Sequence, residues 1–452
     1  MISEVIAVFD IGKTNKKFLL FDRDHNIVLN EEVRFTEVYD EDGFLSEDIS
    51  RIESWQRDCI LNVIKDDRYH ISAINFTTYG ASLIYLDHNG KRLTPLYNYL
   101  KPLPENILNG FYEKYGGIDE FMRNTASPSL GMLNSGMQIL WLKKAKPDIF
   151  NHIKYVLHLP QYLSYLLTRQ VVSEYTSIGC HTALWDFDNH SYHKWTSDEG
   201  IILPSPIASD SSFPSRTLPL KIKVGIGIHD SSSSLVPFLL YSKKKFILIS
   251  TGTWCVCMNP FNSEPLTIDE LRQDILCYLG IRQQPVKSSR VFLGRFHDII
   301  VEKICRYFNV EYDDIKKIRL DYSIIKSLCN SSKNNVFFIK RNSIWFVNEE
   351  ANIEEFKSIT EAYHRLIIDL VEIVIATMHL VLPKDDQTED IYITGGFANN
   401  KIFVKLLSDY LPEKEVYISE VENATALGAA LLVGSSSGIS RSLTNLRLNR
   451  IK

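Results

Sequence analysis

The stretch Ala7-Val-Phe-Asp10-Ile-Gly12-Lys13-Thr14-Asn15-Lys16-Lys17-Phe-Leu-Leu-Phe-Asp22 decides how the rest of the chain is read. An apolar run ends in Asp10, turns through Gly12-Lys13-Thr14-Asn15 and leaves as a second apolar run from Phe18. Both runs have the length and bulk of buried strands, and Gly-Lys-Thr-Asn is hairpin chemistry. Such a turn brings backbone N–H groups, a hydroxyl, an amide and three lysines (Lys13, Lys16, Lys17) to one small region. Those groups suit a polyphosphate, and Asp10 at the strand end suits the Mg²⁺ that travels with it. The competing reading is an ordinary edge hairpin with a solvated basic tip.

A chain of 452 residues is too long for one ordinary core, so two domains are expected. Apolar residues make up 45% and charged residues 23%, the balance of a soluble globular protein. The net charge of −5 argues mildly against nucleic acid as a partner. Met1-Ile-Ser-Glu leads directly into a strand-like run, so no signal peptide is expected. Leu366 to Leu382 carries Asp369, Glu372 and His379 and keeps apolar residues at helical spacing, which reads as a core helix and not a membrane span. Seven scattered cysteines, with Cys255 and Cys257 on one strand face, read as reduced core residues of a cytoplasmic protein.

Further along, Ile27 to Phe35 reads as a third strand and Ser50 to Asp67 as a helix. Ile71 to Thr78 alternates like a strand and ends in Tyr79-Gly80-Ala81-Ser82. Gly80 marks a turn or lets a ligand approach the backbone closely. Helices are expected over Ile107 to Tyr115, Gly136 to Ala145 (closed by Pro147) and Leu159 to Leu167. The aromatic–polar mixture around Glu174-Tyr-Thr176 and Ala183-Leu-Trp-Asp-Phe187 suits either a sugar or a domain rim.

A strand from Lys221 delivers Gly227-Ile-His229-Asp230-Ser231 and a helix-like run to Tyr241. Asp230 sits where an N-cap is expected, and it reads either as a cap alone or as a carboxylate that stays ionised and aims outward, as a general base for a hydroxyl must. Lys245 to Met258 repeats the opening theme: an apolar strand enters Ser250-Thr-Gly252-Thr253 and a second strand leaves it. Gly12 and Gly252 stand 240 residues apart, and the likeness points to two copies of one α/β unit facing each other. Residues 263–295 resist assignment. Helices are read over Phe296 to Phe308 and Asn352 to Leu382, then a strand at Asp390 to Thr394 enters Gly395-Gly396-Phe-Ala-Asn399-Asn400 and a helix, a nucleotide-compatible order. Thr425-Ala-Leu-Gly-Ala-Ala-Leu-Leu432 is a small-residue helix that packs closely on backbone or on an adenosine, and Gly434 onward reads as a tail adding little to the core.

In this order, Asp10-Ile-Gly-Lys-Thr-Asn, Gly227-Ile-His-Asp230, Ser250-Thr-Gly-Thr253-Trp and Gly395-Gly396 with Ala426-Leu-Gly428-Ala resemble the FGGY carbohydrate kinases of the actin/hexokinase-like ATPase superfamily. Thr78-Tyr79-Gly80, the run from Leu159 to Thr168 leading to Glu174-Tyr-Thr176, and His229-Asp230 look most like the rhamnulose and fuculose kinase branch. The resemblance implies an α/β fold of two actin/hexokinase-like (ribonuclease-H-like) domains flanking a catalytic cleft. These would span 1–228 (sugar side) and 229–434 (nucleotide side), with 435–452 as the tail. It implies ATP and Mg²⁺ as cofactors and a small ketose as substrate, with no nucleic acid or membrane partner. By motif position, Asp10 would hold the metal. Gly12, Lys13, Thr14, Asn15 and Lys17 would surround the phosphates, with Gly252 and Thr253 meeting them from the second domain. Gly395, Gly396, Asn399 and Asn400 would flank the adenosine and α-phosphate. Asp230 would be the catalytic base, with Gly80, Ser82 and His229 on the sugar. The chain departs from the family at Lys13, where Thr or Ser is common, and at Gln161, where Asp is typical; no Phe-Gly-Gly-Tyr-like stretch stands between 275 and 300. Alternative readings are a phosphotransferase acting on a polyol or other non-ketose, and a sugar- or nucleotide-binding regulator without catalysis.

Overall fold

A computed structural model describes residues 2–330, 335–341, 344–434 and 446–451. The first sheet is built from β1 (Ser3–Ile11), β2 (Lys16–Phe21), β3 (Ile27–Val33), β4 (Tyr69–Thr78), β5 (Ser212–Pro214), β6 (Lys223–Gly225) and β7 (Ile228–His229). Their order is β5-β6-β4-β1-β2-β3, with β7 pairing on the end of β4. The second sheet uses β8 (Phe246–Thr251), β9 (Cys255–Asn259), β10 (Leu276–Leu279), β11 (Pro285–Val291), β12 (Asp390–Gly395), β13 (Glu415–Ser419) and β14 (Leu448–Arg450), in the order β10-β11-β9-β8-β12-β13-β14. In each sheet one strand forms an antiparallel hairpin with its successor and lies parallel to a later strand on its other side: β1 between β2 and β4, β8 between β9 and β12. Each lobe thus repeats one connectivity, as the two strand–turn–strand motifs lead one to expect.

Alternation along β1 explains why the opening stretch is apolar throughout. Val5, Ala7 and Phe9 enter a core with Ile52, Ile60 and Val63 of α1 (Ile49–Ile64). Ile6 and Val8 enter another core on the opposite face. A strand buried on both faces has no use for polar side chains until it reaches its end, and the polar residue there is Asp10.

Further helices are α2 (Leu159–Thr168), α3 (Asp230–Tyr241), α4 (Leu293–Phe308), α5 (Ile359–His379), α6 (Lys401–Tyr410) and α7 (Ala424–Gly434). The opposite-face core of β1 is completed by α3 and α7, so the last helix returns to the first sheet. Asn75 of β4 donates to the carbonyl of Ala429 at 2.8 Å. A Cβ on Gly428 would lie 2.0 Å from the Ser233 carbonyl, so α3 and α7 cross in backbone contact. Packing, and not an adenosine, accounts for the small residues of α7. The expected domain boundary at 228/229 falls inside β7, and the span 229–434 contributes α7 to the first lobe.

Local expectations shift in several places. Gly110, at φ 68°, splits the expected helix 107–115 into two single turns. Pro147 opens a turn at its N1 position instead of closing the preceding helix. The helix expected from Asn352 starts at Ile359, where the Ser358 hydroxyl accepts from the Glu361 amide. Residues 263–295 hold a capping-box helix (Ile268–Arg272) and the β10–β11 hairpin. The tail reading is corrected in part. Leu446 is buried and β14 pairs antiparallel with β13, because the edge strand's open hydrogen-bonding groups accept one more strand; residues 435–445 lie outside the described residues. Among the described residues no helix is long and apolar enough to cross a membrane.

Candidate active site

Asp10 stands at the end of β1 opposite Lys17 of β2. Its Oδ2 accepts from the Thr425 hydroxyl at 2.6 Å, and Lys17 Nζ donates to Asn423 Oδ1 at 2.7 Å. The N-terminal end of α7 therefore anchors Asp10 and Lys17, on the two strands that flank the first turn. Within that turn the Gly12 amide donates to the Asn15 carbonyl at 2.9 Å, and Asn15 Oδ1 accepts from Arg34 Nε at 2.7 Å. Lys13 goes elsewhere: its ammonium pairs with Glu37 (3.1 Å) and Glu47 (3.3 Å) and lies over the Tyr99 ring. Thr14 is exposed at the turn's tip.

The second turn has the same construction. The Gly252 amide donates to the Trp254 carbonyl at 2.8 Å, and the Gly294 amide donates to the Thr253 carbonyl at 3.1 Å. A Cβ on Gly294 would stand 2.5 Å from the Gly252 oxygen, so the start of α4 supports the turn only through a glycine. Gly395 and Gly396 are glycines for different reasons. Gly395 has φ 84° and passes so close to β8 that a Cβ would sit 1.8 Å from the Thr251 carbonyl; Gly396 has open space on that side.

That open space belongs to a cavity of about 930 Å³ bounded by Gly252, Thr253, Gly396, Asn399 and Asn400, with Tyr312, Ile318, Leu320 and Tyr322 opposite. Glycine turns on one side and aromatic and aliphatic side chains on the other suit a nucleoside with its phosphates at the turns. Asn400 spends its side chain on the fold: it accepts from the Phe403 amide as the cap of α6 and donates to the Tyr363 hydroxyl at 2.9 Å.

Asp230 begins α3, its Oδ1 accepting from the Ser231 amide at 2.6 Å. Its side chain keeps 32% of its surface open to the cleft, and the surrounding protein still raises its pKa from the ordinary 3.8 to about 6 by desolvation. Asp10 is likewise raised to about 6, first by burial and further by the negative charge of Asp230; the Thr425 hydrogen bond opposes both. Two carboxylates from different parts of the fold thus share one corner.

Beside Asp230, a Cβ on Gly80 would stand 3.2 Å from His229 Nε2, which lies 3.2 Å from Asp230 Oδ1 and 3.3 Å from Cys180 Sγ. Burial lowers His229 to about 4, leaving a neutral ring whose Nδ1 is buried without a hydrogen-bond partner. Gly80, Ser82, His158, Ser177 and His229 line one small polar recess. The quoted Glu174-Tyr-Thr176 is support for it: Glu174 accepts from the amides of Thr176 and Ser177, and the Thr176 hydroxyl in turn accepts from the His229 amide at 3.1 Å. Gln161 donates to the carbonyls of Ile226 and Gly227, bracing the same segment. Trp185 and Trp195 are buried in a hydrophobic core, so the aromatic stretch is packing and not a sugar platform. Thr425, Asn423, Gly294 and Cys180 were not singled out as site residues from the sequence; a Thr near a helix start is the one local signal among them.

Two lobes of repeated topology, each ending its leading strand in a polar glycine turn, define a two-domain α/β fold. Residues 5–198 match the N-terminal domain of the FGGY family of carbohydrate kinases, and residues 243–441 match the carbohydrate kinase FGGY C-terminal domain. The chain belongs to the FGGY family of carbohydrate kinases and is a phosphotransferase. It is 21% identical to a rhamnulokinase of Halalkalibacterium halodurans, over 93% of this chain and 91% of the relative. It is 22% identical to a rhamnulokinase of Oceanobacillus iheyensis, over 93% and 90%. In fold it is similar to a carbohydrate kinase from Novosphingobium aromaticivorans (TM-score 0.83, 21% identity, 100% of this chain and 95% of that one). It is also similar in fold to Plasmodium falciparum glycerol kinase with ADP (TM-score 0.74, 18% identity, 98% and 91%).

Proposed function

We propose that the chain transfers the γ-phosphoryl group of ATP to a hydroxyl of a ketose, a deoxyhexulose or pentulose of the rhamnulose or fuculose kind, with Asp230 as general base. The observation that carries this reading is the position of Asp230: a carboxylate at a helix start, open to the cleft, beside the polar recess of Gly80 and His229 and close enough to Asp10 to perturb it. The rhamnulokinase relatives support the substrate class.

Asp10 fits Mg²⁺ by its chemistry: a hard carboxylate oxygen donor at the end of a strand, raised in pKa by burial and by the neighbouring charge of Asp230. When bound, magnesium supplies charge neutralisation on the β- and γ-oxygens. The chain's own residues do the rest. Asp230 accepts the hydroxyl proton as the sugar oxygen bonds to the γ-phosphorus and the bond to the β,γ-bridging oxygen breaks, releasing ADP. Neutral His229 and Gly80, which line the same recess, border the sugar, and Gly80 keeps that wall free of a side chain. The amides of the Gly12–Asn15 and Gly252–Thr253 turns, with Lys17, hold the phosphates, while Gly396 and Asn399 face the nucleoside. A cytoplasmic setting belongs to the same proposal, supported by seven cysteines that form no disulfide.

The test is ADP release against L-rhamnulose, L-fuculose, D- and L-xylulose, D- and L-ribulose and glycerol. Turnover is expected with a ketose; turnover confined to glycerol, or none at all, refutes the ketose reading.

A further inference from the structure

Glu47 is a carboxylate with no place in the reaction, buried immediately before α1 with 4% of its side chain exposed. Its charge is met by two ammonium groups, Lys16 at 2.9 Å and Lys13 at 3.3 Å, with the Tyr79 hydroxyl also set against it. Lys16 is equally buried, and its Nζ also donates to the backbone carbonyl of Lys13 at 2.9 Å. That bond orients a peptide plane. In a trans peptide the carbonyl of residue 13 and the amide of residue 14 point in opposite directions, and no cis bond occurs among the described residues. With the Lys13 carbonyl drawn into the clamp, the Thr14 amide is aimed out of it, and an acceptor oxygen that would repel an anion is removed from the turn's open face.

We propose that Lys16 and Glu47 are positioning residues that preset the Gly12–Asn15 turn for the phosphates of the nucleotide, Glu47 acting only through the two lysines. The inference rests on the reading of this turn as the phosphate site. It gives the lysines that depart from an ordinary hairpin a role other than direct contact: Lys13 and Lys16 face Glu47, and only Lys17 faces Asp10. Stability alone does not account for the arrangement, since a buried ion pair is commonly replaceable by apolar groups of similar volume at no loss. An apolar pair would fill the space but could not hold the Lys13 carbonyl.

That difference supplies the test. Calorimetric titration with Mg·AMPPNP, without sugar, compares the wild-type full chain with Lys16→Arg, Lys16→Met and the double variant Lys16→Met/Glu47→Leu, each with its melting temperature. Nucleotide affinity is expected to fall about tenfold or more in Lys16→Met, the scale of a lost charge-assisted or amide–phosphate contact. The double variant regains melting temperature without regaining affinity, and Lys16→Arg, which keeps a donor for both partners, stays near wild type. Steady-state assays repeat the split: KM for ATP rises while KM for the acceptor ketose holds. A double variant that binds Mg·AMPPNP like wild type overturns the proposal and leaves the kinase reading standing. A wild type that binds no nucleotide overturns both. Should Lys16→Met fail to fold, Glu47→Gln takes its place, with unchanged affinity again the refuting result.

Discussion

Asp230 and Asp10 bring like charges into one desolvated corner, and their raised acidity constants have consequences in rate and in pH dependence. A base near pH 6 is ionised in neutral solution and protonated below it. kcat/KM is therefore expected to be level above about pH 6 and to fall about tenfold per unit below it, as the proton count of the free enzyme dictates. A profile flat down to pH 4.5 would exclude Asp230 as the titrating base. Asp230→Asn removes the acceptor without changing shape, so kcat should drop by about 10²–10⁴ while Mg·ATP still binds. The paired glycines give a second contrast. Gly395→Ala places a methyl group against the Thr251 carbonyl at a left-handed φ, and should destabilise by several kcal/mol, beyond the ~1–3 kcal/mol of ordinary overpacking. Gly396→Ala meets nothing and should fold normally, raising KM for ATP instead. Denaturant midpoints for the two variants decide the point.

At the scale of elements, α7 does more than its small-residue sequence advertises. Its approach delivers Thr425 to Asp10 and Asn423 to Lys17, and its body lies in backbone contact with α3, the helix that begins with Asp230. One helix thus braces both carboxylates. Thr425→Val keeps the shape and deletes the hydroxyl, and is expected to raise the Mg²⁺ concentration for half-maximal activity, while melting temperature moves little. A magnesium dependence identical to wild type would separate Thr425 from the Asp10 site. The Glu174 turn is comparable on the sugar side, since its carboxylate orders Thr176, which holds the His229 amide.

For the whole molecule, the two buried aspartates cost stability in their ionised form. The folded chain keeps their protons up to about pH 6, whereas the unfolded chain releases them near 3.8, so folding stability from these groups falls as pH rises between those values and stays reduced above. Asp10→Asn should accordingly raise the melting temperature at pH 7.5, by roughly a few degrees at most, and lose that advantage near pH 4. Saturating Mg·ATP should raise the wild-type melting temperature by mass action and do so less in Asp10→Asn. The reverse order would place the metal elsewhere.

The sequence by itself determined the two strand–turn–strand motifs and the doubled α/β plan, and it pointed to Asp10 and Asp230, the carboxylates proposed as metal holder and base. Those features are local, because apolar alternation, turn residues and a helix start are written within a few positions of one another. Only the tertiary structure decided where Lys13 points, why Gly395 and Gly396 differ, that the aromatics at 185 and 195 are core, and that Thr425 and Asn423 belong to the site. Thr425 and Asp10 are 415 residues apart and Asn423 and Lys17 are 406 apart. Contacts at such separations arise from the packing of a helix on a sheet, and leave no periodic trace along the chain that carries them.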